Sequence, residues 1–398
     1  MWEERSGNRI TSKNRSLGMG IFLTIYLTLK PLYLFSSGLP QISDMFLVFV
    51  AFYMLVREHW RILIPTIYSK WLYVFIWVLL FQIVVQAVWW IKTNEARMLL
   101  FIAYYVFNFN AALLCIYIGE KIGIENLKLA ICRGCLYSIS ITAAGFLLIR
   151  VSGIRSTGFF NNPNKLGYYA LLIVTIIAFF PDQLPKWQNA IIIGVSLWAN
   201  VVSLSKASII GLAGLAVCYT LWGTRKKTLR KAISQAILLI VIFGAIYWFL
   251  FSNGSIVIGN RTLYILRNRI IQMSAENDSA LGTGRGYDRV QEMGAHFLWG
   301  MGEGAYTRFK TMPGYEVHAT FVNTLVSYGM IGLIVYIWLM VKPMISRGKS
   351  IRNLACISGL FLYFFTHNGI RNTLLWILFA VVLQANRFGE CSDEREIL

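Results

Sequence analysis

Long apolar runs recur along this chain, separated by short polar stretches rich in lysine and arginine. The runs occupy about residues 17–35, 42–57, 71–91, 97–118, 129–149, 165–180, 187–203, 206–222, 233–252, 319–341, 351–366 and 370–387. A bilayer core of ~30 Å needs about 20 apolar residues per helix. In lipid the backbone must satisfy its own hydrogen bonds, which a helix does. The pattern therefore predicts an all-α, polytopic transmembrane protein of about 12 helices. The shorter runs predict helices that are tilted, broken or shielded by neighbours. One interval breaks the rhythm. Residues 253–318 contain many glycines, near-balanced charge and two apolar-periodic stretches, 261–273 and 287–299. Each stretch predicts an amphipathic helix resting at the membrane surface. No internal repeat or low-complexity tract stands out. Residues 1–398 are thus read as a single transmembrane domain, with 253–318 as one large loop within it.

Composition agrees. The chain is 57% hydrophobic and 14% charged, against about 25% charged for a soluble domain. The net charge of +19 reads as orientation, because lysine and arginine are retained in cytoplasmic loops. With the N-terminus inside, the inner segments hold Arg5, Arg9, Lys13 and Arg15, then Arg57, Arg61 and Lys70, then Lys121, Lys128 and Arg133. The series continues with Arg225, Lys226, Lys227, Arg230 and Lys231, then Lys342, Arg347, Lys349 and Arg352. This alternation predicts both termini in the cytoplasm and residues 253–318 outside. It argues against nucleic acid as a partner and makes the lipid bilayer one. The cluster from Arg225 to Lys231 reads as a topology anchor rather than a lipid-headgroup site. A cleaved leader is not expected: the apolar run 17–35 is too long for a signal-peptide core and offers no small-residue cleavage site.

Several local patterns carry no chemistry. Cys132-Arg-Gly-Cys135 has C-x-x-C spacing but opens a hydrophobic helix and has no second pair, so these read as small packing residues. Ser203-Leu-Ser-Lys206 fits S-x-x-K, yet no S-D-N or K-T-G follows. Gly300-Met-Gly-Glu-Gly304 is glycine-rich but follows no strand, which argues against a dinucleotide site. Asn253, Asn260 and Asn277 open N-x-[ST] triplets that matter only in a glycosylating pathway.

What remains is polar chemistry on the outer side. Arg155-Ser-Thr-Gly-Phe-Phe-Asn-Asn-Pro-Asn164 follows the fifth run, and Lys206 opens the eighth. The large loop carries Arg285, Arg289 and Glu316-Val-His318, and the last outer loop holds His367, Asn368 and Arg371. Cations at the outer surface run against the positive-inside rule, and binding an anionic group explains them. A divalent metal would want paired carboxylates. No D-x-D is present, and Trp89-Trp90-Ile91 lacks the acid of a W-W-D motif. Neither a metal nor another cofactor is expected.

The segment 284–333 resembles the shared region of the O-antigen ligase and polymerase superfamily. The likeness lies in the glycine turn Gly300-Met-Gly-Glu-Gly304, a loop histidine directly before a helix, and the pattern Tyr328-Gly-Met-Ile-Gly-Leu333. Arg155–Asn164 is similar to the superfamily's R-x-x-G-x-F-x-N-P-N element. Two positions depart from it. Ser205-Lys206 stands where S-R is frequent, which keeps the charge but loses the fork. His318-Ala319 stands where H-N is frequent, leaving Asn323, about one turn on, as a source of an amide.

The resemblance implies an all-helical glycosyltransferase of the bacterial inner membrane. It would work at the outer face by inverting transfer from a polyprenyl-pyrophosphate-linked oligosaccharide to a sugar hydroxyl. The acceptor would be another lipid-linked glycan (polymerase) or a lipid anchor such as lipopolysaccharide core (ligase). The departures lie beside positions that meet the acceptor, which favours polymerase. Chain-length regulator and flippase proteins are the implied partners. A lipid-linked-glycan flippase is the alternative of another class, but transporters concentrate ionisable residues at the bilayer midplane and often show repeats. Within the enzyme reading His318 is the expected general base, since histidine titrates near pH 6.5 and is largely neutral near pH 7. His367 is the second choice. Arg285 and Lys206, helped by Arg155 and Arg289, are expected to hold the pyrophosphate. Glu316 is expected to orient the His318 ring, with Asn323 and Arg371 in support.

Overall fold

The apolar runs fold as helices whose ends follow local chemistry. In the computed structural model, residues 18–35, 40–57, 69–148, 157–222, 264, 267–268, 285–311, 313–345 and 350–395 are described. They contain α1 (Gly18–Leu29), α2 (Ile42–Arg57), α3 (Ser69–Thr93), α4 (Arg97–Ile122), α5 (Ile124–Leu148) and α6 (Pro163–Phe179). These are followed by α7 (Lys186–Ser203), α8 (Lys206–Trp222), α9 (Thr320–Val341), α10 (Ser350–Phe364) and α11 (Thr373–Arg395). No strand occurs among the described residues. Four helices, α3, α4, α5 and α9, are long and apolar enough to cross a membrane.

Most expected runs coincide with these helices within a few residues. The first does not extend to residue 35: α1 stops before Pro31, whose ring and missing N–H oppose a continuing helix. Gly123 alone separates α4 from α5, at φ 82°, with its N–H on the Gly119 carbonyl, so α5 starts earlier than expected. Asn162 caps α6, its side chain accepting from the Asn164 N–H, and Pro163 takes the first turn. The run 233–252, the basic cluster 225–231 and most of the stretch 261–273 lie outside the described residues.

Contacts between helices fix their relative directions. α3 and α9 are antiparallel: Trp71 Nε1 donates to the Leu339 carbonyl at 3.0 Å near one end, and Trp89 Nε1 reaches the Gly300 carbonyl at the other. α4 and α11 are parallel, since Asn108 donates to the Arg371 carbonyl and Gln384 to the Ile116 carbonyl. α8 and α10 meet through glycine. A Cβ on Gly211 would lie 2.7 Å from the Gly359 carbonyl oxygen, and one on Gly359 would lie 2.3 Å from that of Gly211. Such small-residue contacts let helix backbones approach closely in lipid, where no hydrophobic force drives helices together. α6 runs antiparallel to α10, with Arg352 on the Phe179 carbonyl and Tyr168 stacked on Tyr363 at 4.4 Å. As a result the first turns of α4, α6, α8, α9 and α11 share one end of the bundle with the last turns of α1, α3 and α10. Segment 285–319 packs onto this end.

Stretch 287–299 is not one amphipathic helix. It forms a single turn, Arg289–Glu292, and a 3₁₀ turn, Gly294–His296. Gly294, at φ 47°, breaks the helix between them.

Candidate functional site

Two glycine motifs far apart in sequence make the floor of this end. Gly329 interrupts α9 at φ 68°, ψ −173°, a conformation nearly confined to glycine. The interruption strips α9 of its own hydrogen bonds there, and the loop replaces them. Met301 N donates to the Val326 carbonyl and Gly302 N to that of Ser327, each at 2.8 Å; Met330 N donates to the Phe297 carbonyl at 2.9 Å. The approach leaves no room for side chains: a Cβ on Gly329 would meet the Leu298 oxygen at 2.2 Å, and one on Gly300 the Ser327 oxygen at 2.4 Å.

Arg308 gathers the carbonyls on the other side of this turn. Its guanidinium donates to Gly304 O at 2.6 Å, Gly302 O at 2.8 Å and Ala305 O at 3.2 Å, and also to Met301 O. Its plane lies 4.5 Å from the Phe309 ring and 5.1 Å from Trp89. Burial pulls Arg308 down to about 10, so it remains a cation at pH 7. Gln86 of α3 completes the cradle by bonding both the N–H and the carbonyl of Glu303.

The turn thereby drives Glu303 into the bundle, where it is fully buried. One carboxylate oxygen accepts from the hydroxyls of Tyr105 at 2.9 Å and Tyr328 at 3.0 Å; the other accepts from Asn323 Nδ2 at 2.9 Å and lies 3.7 Å from Arg371 Nε. Burial pushes this carboxyl above the ordinary carboxylate range, against the pull of the Arg371 charge. Glu303 joins α4 and α9 through side-chain hydrogen bonds, and the loop before α11 through the Arg371 charge.

Above Glu303, three loop segments converge. Arg371 pairs with Glu316 and lies 5.2 Å from the Phe101 ring. Asn368 also donates to Glu316. Arg285 donates to the Thr366 carbonyl at 3.4 Å, and its own carbonyl accepts from His318 N at 3.3 Å. Thr320 ties the segments together, donating to the His367 carbonyl and accepting from Gly369 N. His318 is exposed, while Arg285 and His367 are half-buried.

The expected site residues therefore divide. His318, Arg285, Glu316, His367 and Arg371 come together. Asn323 joins them from below through Glu303 rather than by facing outward. Glu316 is held by Arg371 and Asn368, not by the His318 ring, because the Arg371 guanidinium reaches it first. Lys206 heads α8 at the same end of the bundle and is half-buried. Arg289 is fully buried and braces the loop: it donates to the Thr311 carbonyl at 3.1 Å and the Tyr315 carbonyl, with Phe309 4.5 Å away. Arg155 lies outside the described residues.

Sequence reasoning missed the central acid, Glu303, although it noticed the turn. It also missed a second charged group at this end. Lys30, at the end of α1, is buried and pairs with Asp44 of α2 at 2.8 Å. Lys165, in the first turn of α6, lies 5.1 Å from the Tyr33 ring and within electrostatic range of Lys30, Asp44 and Arg371. The usable signal was a lysine inside an otherwise apolar run, which marks a functional position by default.

No protein-family model matches this chain. No curated protein matches it either.

Proposed function

We propose that this chain is an inverting, metal-independent glycosyltransferase of the membrane, acting as a polysaccharide polymerase on polyprenyl-pyrophosphate-linked glycan. The observation that carries the reading is the meeting of Arg285 and His318. One backbone hydrogen bond of 3.3 Å, from His318 N to the Arg285 carbonyl, brings an arginine and an exposed histidine to the same end of the helical bundle. A lipid-linked donor could reach that end along the bilayer, and a hydrated acceptor from the aqueous side.

The chemistry follows from these residues. The acceptor hydroxyl oxygen attacks the anomeric carbon from the face opposite the pyrophosphate, and the new C–O bond forms as the old one breaks. His318 removes the hydroxyl proton in the transition state. The electron pair of the broken bond leaves on the pyrophosphate, whose growing charge Arg285 and Lys206 stabilise. A single displacement inverts the anomeric centre. The membrane setting rests on the four long apolar helices. The alternating helix directions and the basic loops support about twelve crossings with both termini cytoplasmic.

The test is transfer by purified protein in membranes supplied with lipid-linked oligosaccharide. Longer glycans on the lipid support a polymerase, transfer to a lipopolysaccharide-type anchor a ligase, and movement without a new bond a transporter. His318→Ala should lose at least about 10²-fold in rate and alter the pH profile of transfer, in line with general-base catalysis. A variant that transfers at the wild-type rate with an unchanged profile would remove His318 as the base and turn attention to His367.

A further inference from the structure

The charge pattern at this end is unbalanced at one position. Lys30 has the Asp44 carboxylate at 2.8 Å, and Arg371 has Glu316. Lys165 stands between them in charge but has no carboxylate within salt-bridge distance among the described residues. Its ammonium lies over the Tyr33 ring, 5.1 Å from the ring centre. It is half-buried rather than free in water. Lys30 and Arg371, both within electrostatic range, add repulsion that exceeds the attraction of the Asp44 carboxylate. A partly dry ammonium beside like charges carries a desolvation cost that only an anion offsets well.

The surroundings of Lys165 are built and not incidental. The Tyr33 N–H donates to the Phe159 carbonyl at 3.2 Å, and the ring packs on Phe160 at 5.0 Å, which fixes the end of α1 against the start of α6. Asn161 donates to the Phe35 carbonyl at 3.0 Å. One turn beyond Lys165, Tyr168 donates to the Gly369 carbonyl at 3.1 Å. That bond seats the first turn of α6 against the segment carrying His367 and Arg371. Lys165 thus adjoins the group of residues containing His318 and Arg285 without belonging to their hydrogen-bond network.

We propose that Lys165 is the anchoring cation for a phosphate group, and that the group is part of the pyrophosphate of the lipid-linked donor. A pyrophosphate carries more than one negative charge, and a lysine is a compact point charge suited to a phosphate oxygen. Lys30 stays with Asp44 and leaves Lys165 to meet the anion. The identity of the ligand rests on the glycosyltransferase reading, whereas the existence of the anion site does not. The same chemistry would also take the headgroup phosphate of an anionic bilayer lipid, so both sources are tested.

The experiment measures binding alone, with full-length protein in neutral-lipid nanodiscs. The probes are farnesyl pyrophosphate and phosphatidylglycerol, applied to wild type, Lys165→Gln and Lys165→Arg, with thermal unfolding recorded for each. The proposal expects Lys165→Gln to weaken farnesyl pyrophosphate binding about tenfold, as for one charged contact of ~1.4 kcal/mol. It expects Lys165→Arg to recover most of that loss, and phosphatidylglycerol binding to stay unchanged. Wild-type pyrophosphate binding by a folded Lys165→Gln overturns the site. An equal loss for both probes overturns the donor assignment and makes the site one for bilayer lipid. Because no glycan transfer is measured, absence of transferase activity in the wild type would defeat the proposed function while leaving this binding result standing.

Discussion

Replacing Glu303 by alanine would leave the Tyr105 and Tyr328 hydroxyls and the Asn323 amide, all buried, facing a gap. Each unsatisfied buried donor costs about 1–3 kcal/mol. Arg371 would also lose a carboxylate 3.7 Å away, but it is a quarter exposed and keeps Glu316, so this loss adds only about 1 kcal/mol. These costs overlap, so about 4–6 kcal/mol is expected for Glu303→Ala, a large part of a typical total of about 5–15 kcal/mol. Glu303→Gln is different. Its amide keeps the shape, its oxygen can accept from Asn323, and the two tyrosine hydroxyls can rotate to accept from its nitrogen. Burial already disfavours the charged form of Glu303, so the glutamine variant should stay within about 1 kcal/mol of wild type. The sign with pH follows. A carboxyl whose folded-state pKa is raised binds its proton more tightly in the folded protein. Its contribution is fully present below the unfolded pKa and is lost as pH rises through the folded value. Wild type should therefore lose thermal stability, relative to Glu303→Gln, as pH climbs through that window. Thermal unfolding of detergent-solubilised protein, followed by size exclusion across a pH series, measures both effects. Equal unfolding temperatures for the alanine and glutamine variants, or a pH dependence unaltered in Glu303→Gln, would refute the role assigned to this carboxyl.

Gly329→Ala should destabilise the protein by about 3 kcal/mol or more, because its Cβ would lie 2.2 Å from backbone oxygen at a positive φ; a thermal shift of less than a few degrees would contradict the docking of the two glycine motifs. Arg285→Ala should lower glycan transfer about 10²–10³-fold in a protein that still folds and inserts, and wild-type transfer would remove Arg285 from the site. Asp278→Cys, in a background without other reactive thiols, should label only from the outer side of intact cells; labelling confined to the cytoplasmic side would invert the topology and move the proposed site with it.

The helices were legible in the sequence because their determinants are local. Apolar length selects a helix in lipid, whereas the ends set by Pro31, Gly123 and Asn162-Pro163 were not read from the runs, although those signals are local too. Arg285, His318 and His367 were singled out in the sequence as polar residues of one side, since charge and order along the chain suffice for that, and they meet at one end of the bundle. Partnership was not. Glu303 meets Tyr105 across 198 positions and Tyr328 across 25, and no periodicity links such residues. The amphipathic reading of 287–299 failed for the same reason: Arg289 looked like a surface cation, yet the loop folds around its guanidinium and supplies the carbonyls that it needs. Lys30 lies within the first apolar run and Lys165 opens the sixth, and the run pattern alone gave neither a role. Tertiary packing made one a satisfied ion pair and left the other without a salt-bridging carboxylate among the described residues, because hydropathy records what a residue dislikes about lipid and packing alone decides which charge stands beside it.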